Sequence, residues 1–294
     1  MAQIHHFDHG WITPTISYVL SVLGSLLGLT LAVRFRSARS NTERVWWLIL
    51  AAVAIGGTAI WSMHFVAMMG FSVVGTPIRY DVGLTIASAV IAVVAVGLGL
   101  VIALFGKRAQ NFRILAGGII AGLGVAAMHY TGMAAMHLNG EIAYSATRVG
   151  MSIGIAVVAA SVALWLAVTV RKPLIVFVSA LVMGIAVNGM HFTGMSAMSV
   201  TEHDPAGVLS GATATAMIVP VGLTVVFGIL GLAYALMAAP TEEDRAAAEY
   251  LAARRESGQT GFIPRQAEAP AVEQPSRGAS ALGAGNWTYR DRSR

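Results

Sequence analysis

The chain has 294 residues and a formal net charge of +5, with 56% hydrophobic and only 11% charged residues. Soluble domains carry about 25% charged residues, so an ordinary soluble enzyme is excluded. Cysteine is absent, which excludes disulfides, thiolate zinc sites and cysteine-ligated iron–sulfur clusters. Any metal must be held by His, Met, carboxylate or backbone oxygen.

The apolar residues form runs long enough for the roughly 20 residues that a helix needs to cross a bilayer core. Taken in order, the runs predict seven helices at 12–33, 45–70, 82–105, 113–138, 149–170, 174–199 and 213–238. The expected fold is an all-α integral membrane protein: an N-terminal segment at 1–11, a seven-helix membrane domain at 12–238, a short helix at 239–256 and a disordered tail at 257–294. Residues 241–256 begin with acids and end with Arg254 and Arg255, which suits a helix. The tail is rich in Gly, Pro and Ala without apolar periodicity.

Lys and Arg in short loops favour the cytoplasmic side. Arg34, Arg36, Arg39, Arg44, Lys107, Arg108, Arg113, Arg171 and Lys172 fall on one side and only Arg79 and Arg148 on the other. The N-terminus is therefore expected outside and the C-terminus in the cytoplasm, the side where both terminal segments at 239–294 would lie. The basic excess follows from topology and gives no reason to expect nucleic acid.

One nine-residue window occurs three times: MHFVAMMGF from Met63, MHYTGMAAM from Met128 and MHFTGMSAM from Met190. Each falls near the outer end of the second, fourth or sixth predicted helix, all three running outward. The simplest architecture is one leading helix followed by three similar helix pairs. Nine of the 14 Met lie in these windows. A glycine stands seven residues before each His (Gly57, Gly122 and Gly184), and small residues let membrane helices approach closely.

At about 100° per residue, a Met four positions after a His lies on nearly the same helix face. His64 with Met68, His129 with Met133 and His191 with Met195 are such pairs. Met63, Met128 and Met190 point about 100° away, toward a neighbouring helix. If the helices continue, Met136 and Met198 return to the His face, whereas Phe71 holds that place in the first window. A lone Met in an apolar helix fills space, and a lone intramembrane His is often only hydrogen-bonded; three windows in register point to ligation. Imidazole and thioether together form a borderline-to-soft set that favours copper, and no carboxylate lies within the windows. Asn188, three residues before His191, is expected either to orient that imidazole or to bond a neighbouring helix. Thr131 and Thr193 are expected to bond back to their own helices. His5, His6, Asp8 and His9 read as a solvated terminus, and His137 and His203 as interfacial residues.

At these windows the chain resembles the MHYT-domain family of bacterial membrane sensors, whose tetrapeptide is present verbatim as Met128-His129-Tyr130-Thr131. The likeness covers roughly residues 9–236. It implies a domain of the cytoplasmic membrane in which Met63, His64, Met128, His129, Met190 and His191, with Met68, Met133 and Met195, bind copper near the outer face. It also implies sensing of oxygen, carbon monoxide or nitric oxide. Family members are often fused to cyclic-dinucleotide enzymes or kinases; the residues after 238 are too few for such a domain, so a separate cytoplasmic partner is expected to carry the output. The chain itself is not expected to be an enzyme, because no nucleophile, base and orienting group recur together. Two alternatives remain open: a copper carrier or transporter, which the near absence of His, Met and acids from the inner helix halves disfavours, and a haem-binding bundle with His or Met as axial ligands.

Overall fold

A computed structural model describes residues 3–5, 8, 10–106, 108–202, 209–237, 246–247 and 250–254. His6, His9, Lys107 and His203 lie outside them, as do most of the expected terminal helix and all of the expected tail. Residues 1–239 form one compact unit; of the second unit, 240–294, the described residues are helical.

The first unit contains seven helices long and apolar enough to cross a membrane: α1 (Ile12–Ser37), α2 (Asn41–Met69), α3 (Val82–Leu104), α4 (Gln110–Ala134), α5 (Ala146–Thr169), α6 (Pro173–Ser196) and α7 (Ile218–Met237). Local chemistry explains several starts. Ser40 Oγ accepts the amide of Glu43 (3.1 Å), and Glu43 reaches back to the Arg39 amide (3.0 Å), a capping arrangement that starts α2. Asp81 caps α3 by accepting the Leu84 amide at 2.7 Å. Pro173 begins α6, where its missing N–H costs nothing.

Helices α2 to α6 follow one another around a ring that α1 closes by packing on both α2 and α6. The third pair of the repeat is continuous in the chain but is not packed as a pair: α7 lies outside the ring, against α1 and α2. The ring is tight because small residues stand where backbones meet. A Cβ at Gly24 would lie 2.3 Å from the Ala59 amide nitrogen, and Gly99 and Gly117 each sit against the other's carbonyl. Of the three glycines singled out by the repeat, Gly122 meets the Val157 backbone and Gly184 the side chains of Val22 and Tyr18. Gly57 makes no such contact; its neighbour Gly56 meets Ala92 and Val93 of α3 instead.

That one-residue displacement has a local cause. The middle of α2, Val53–Ser62, is wound as a π-helix, which changes the angular phase of everything after it. The Ser62 hydroxyl bonds the carbonyl of Gly57, five residues back, at 2.9 Å.

Each motif helix ends five residues past its His, at Met69, Ala134 and Ser196. The expected ends at 138 and 199 are therefore too late. Met136 and Met198 do not continue the helices but open strands, so their return to a helical His face does not occur. The strands form three two-stranded antiparallel sheets at the motif end: β1 (Ile4–His5) with β2 (Ser72–Val73), β3 (Arg79–Tyr80) with β4 (Met136–His137), and β5 (Gly140–Tyr144) with β6 (Met198–Glu202). The last two tie the segment after α2 to that after α4, and that after α4 to that after α6. At the opposite end α1 is the clamp: Arg36 donates to the carbonyls of Val168 and Val170, and Arg34 to that of Ala235 at 2.5 Å. Guanidinium groups placed on C-terminal carbonyls complement the helix dipole.

Candidate metal centre

The three motif histidines, separated by 65 and 62 residues in the chain, meet at one point. His64 and His129 are 0% exposed and His191 1%. His64 Nδ1 lies 3.0 Å from His191 Nδ1 and 3.2 Å from His129 Nδ1. One nitrogen from each ring lies within 4.8 Å of the others, an arrangement able to hold a metal ion. The rings stand edge to face in all three pairings, with centroids 4.9 to 5.2 Å apart. With a rise of about 1.5 Å per residue, the cluster lies some five residues, or ~7 Å, below the ends of the motif helices, under the strand layer.

The nitrogen inventory explains why this geometry suits a cation. A neutral imidazole carries one N–H and one lone pair. Facing Nδ1 atoms with lone pairs inward leave the protons on the three Nε2 atoms, and every Nε2 is buried without a hydrogen-bond partner. Such an orphaned group costs about 1–3 kcal/mol. One proton moved inward would make an N–H···N hydrogen bond at 3.0 or 3.2 Å, and all three moved inward would crowd N–H groups at the centre. A cation at the convergence satisfies all the lone pairs at once, and nitrogen ligands at about 2.0–2.1 Å from a metal in tetrahedral array stand roughly 3.3 Å apart. The observed 3.0 and 3.2 Å are close to that spacing.

What holds the rings is partly steric. A Cβ on Gly132 would lie 2.3 Å from His64 Nε2, and one on Gly194 2.3 Å from His129 Nε2. Each of these glycines stands three residues after the His of its own motif, so α4 seats the ring of α2 and α6 seats the ring of α4. Ala67 occupies the same place in the first motif. Single-helix geometry does not expose these seats, although the repeated Gly of MHYTGM and MHFTGM is their signal.

The six candidate thioethers are all in the core: Met63, Met68 and Met133 are fully buried, and Met128, Met190 and Met195 nearly so. They differ in what they border. Met133 lines a shallow cleft with Tyr130, Met136 and Tyr144, and Met190 lines a large apolar cavity deeper in the bundle. The structure thus brings the three histidines together across helices rather than only pairing each with a Met on its own helix.

Asn188 belongs to an interhelical network. It accepts from Ser17 Oγ and donates to Ser21 Oγ and to the carbonyl of Gly184, each at 2.8 Å, joining α6 to α1. Thr193 bonds back to the Gly189 carbonyl at 2.7 Å. His5 pairs with Ser72 in β1–β2, and His137 with Arg79 in β3–β4.

Comparison with known proteins defines the class. The family model described as "Bacterial signalling protein N terminal repeat" matches residues 57–118, 122–180 and 184–253. The chain belongs to this MHYT family. It is 41% identical over 210 residues to the bifunctional diguanylate cyclase/cyclic di-GMP phosphodiesterase MucR of Pseudomonas aeruginosa, covering 70% of this chain and 30% of MucR. It is 33% identical over 198 residues to the cyclic di-GMP phosphodiesterase NbdA of the same organism, covering 65% and 24%. It is 31% identical over 206 residues to the signaling protein YkoW of Bacillus subtilis, again covering 65% and 24%. The chain therefore spans less than a third of the length of these relatives. No solved structure matches it.

Proposed function

We propose that this protein is a multi-pass sensor of the cytoplasmic membrane in which the His64–His129–His191 cluster holds a copper ion near the outer face. The observation that carries the reading is the convergence of three buried Nδ1 atoms, at 3.0 and 3.2 Å from His64 to its two partners. The residues fit the ion: three imidazoles, six buried methionines in the same windows and no carboxylate suit a soft or borderline metal. Copper so held supplies a redox-active centre and a coordination position for oxygen, carbon monoxide or nitric oxide. Met68, Met133 and Met195 are the thioethers proposed to complete the ligand set, with Met63, Met128 and Met190 reaching it across helices. The outward placement of the motif end rests on the basic residues at the other end of the helices.

The chain's own residues carry the signal. The three histidines come from three different helices, so a change at the cluster alters how α2, α4 and α6 pack. Sensing requires two such arrangements that the ligand binds differently. The proposed output is a separate cytoplasmic partner at residues beyond α7, a place consistent with relatives whose names include cyclic di-GMP enzymes.

Two observations favour this reading over the alternatives. A haem plane cannot pass between nitrogens 3.0 Å apart. A cation leaving the cluster away from the motif end would meet the apolar residues Ile60, Val125 and Val187, which offer no path for a transporter. The test is metal analysis of the purified protein with absorption spectra in air and under reductant. Copper at about one ion per chain, lost on His64→Ala, supports the reading; protein isolated without copper and unable to take it up overturns it.

A further inference from the structure

A cavity of about 460 Å³ begins one helical turn beneath the histidines. Ile60, Val125 and Val187, each four residues before a motif His, line the end nearest the cluster. Its other flank runs between α5 and α6, where Val158 and Val182 are 65% and 51% exposed on the outside of the bundle. The cavity therefore opens sideways, onto the surface that faces lipid, and no charged residue borders it.

One polar atom stands out. Ser25, halfway along α1, lines the cavity, is 0% exposed, and its hydroxyl has no hydrogen-bond partner. Two neighbouring buried hydroxyls of α1 are satisfied, Ser17 by Pro14 and Asn188 and Ser21 by the Tyr18 carbonyl; Thr13 Oγ1, also without a partner, does not line the cavity. A buried donor left unmade is costly, so the hydroxyl marks where a ligand oxygen would sit.

We propose that this chamber binds an uncharged, bilayer-dissolved ligand with a hydrocarbon body and a carbonyl oxygen, the chemistry of a lipid-soluble quinone, with Ser25 donating to that oxygen. Three physical arguments select this class. The volume falls in the range of about 300–1,000 Å³ that accommodates organic ligands, far more than a diatomic gas requires. The lack of charge in the lining excludes ionic head groups, which are expensive at this depth. A plain acyl chain would fill the space but leave the Ser25 hydroxyl unpaired at mid-helix. The chamber borders the proposed metal site through Met190, but none of its lining residues is a motif histidine.

The test uses the full chain in phosphatidylcholine vesicles and two photoreactive probes, a short-chain benzoquinone and a phosphatidylcholine tagged in its acyl chain, with labelled peptides mapped by mass spectrometry. Gly154 lines the chamber, and a side chain added there meets nothing within 4 Å; Gly150 has the same open surroundings but does not line it. The expected result is saturable quinone labelling on α5 and α6, lost at least tenfold in Gly154→Phe and retained in Gly150→Phe. Ser25→Ala should weaken it about threefold to tenfold, as loss of one hydrogen bond implies, and His64→Ala should leave it in place. Chamber labelling by the phospholipid probe alone, indifferent to Ser25, would overturn the proposal in favour of an acyl chain. Labelling no stronger than on the rest of the lipid-facing surface, or equally reduced by both glycine substitutions, would overturn it outright. Failure here leaves the metal content of the same samples as a separate result.

Discussion

The first motif helix differs from the other two in nearly every local respect, yet its histidine is the hub of the cluster. α2 carries a π-helical segment before the motif, Ala67 in place of the seating glycine, and Phe71 in place of the third Met. It is also tied to α7: Thr58 Oγ1 donates to the Thr224 carbonyl at 3.1 Å, and the Ser62 and Thr224 hydroxyls are bonded. α4 and α6 are regular and carry the seating glycines Gly132 and Gly194. Only His64 Nδ1 lies within hydrogen-bond distance of both other Nδ1 atoms. A threefold sequence repeat has thus produced an unequal site, in which one deviating helix aims its ring at the other two.

The largest effect is expected at the hub. His64→Ala should abolish metal retention through dialysis against a chelator. His129→Ala leaves the 3.0 Å His64–His191 pair and should weaken affinity at least a hundredfold without the same complete loss; equal behaviour of the two variants would remove the hub assignment. The seats come next. Gly132→Ala and Gly194→Ala drive a methyl into the rings of His64 and His129, and should lower metal affinity about tenfold to a hundredfold, the size of effect seen when support around a ligand is lost. Ala67→Gly in the first motif should change affinity less than threefold. A smaller effect separates the methionines: if same-face geometry governs, Met133→Leu lowers copper(I) affinity more than Met128→Leu, and equal losses would favour ligation across helices.

The least effect on the metal is expected away from the cluster. Asn188→Ala removes the bonds between α6 and α1, and should lower stability by about 1–3 kcal/mol in thermal unfolding while leaving copper content unchanged. A loss of copper in that variant would show that the α1–α6 contact sets the position of His191.

Much of this was legible in the chain because bilayer-spanning helices are written in composition: seven apolar runs correspond to seven helices, and three windows mark one level of the bundle. The helix ends were not, since Met136-His137-Leu138 and Met198 continue an apolar pattern that serves equally well for a strand covering the site. The π-helix in α2 has no composition of its own, and it moved the close contact from Gly57 to Gly56. The meeting of three rings was the main feature beyond reach: helical spacing gives the angle of a residue about its own axis, whereas the cluster depends on which helices are neighbours. The cavity beneath it arises in the same way, from the packing of six helices around small residues.

The most direct test is X-ray absorption at the copper edge of the purified, copper-loaded protein. Imidazole scattering from three rings is expected, reduced in His129→Ala and absent in His64→Ala. Copper surrounded by oxygen or a single imidazole, or a spectrum unchanged by either substitution, would contradict the three-histidine site.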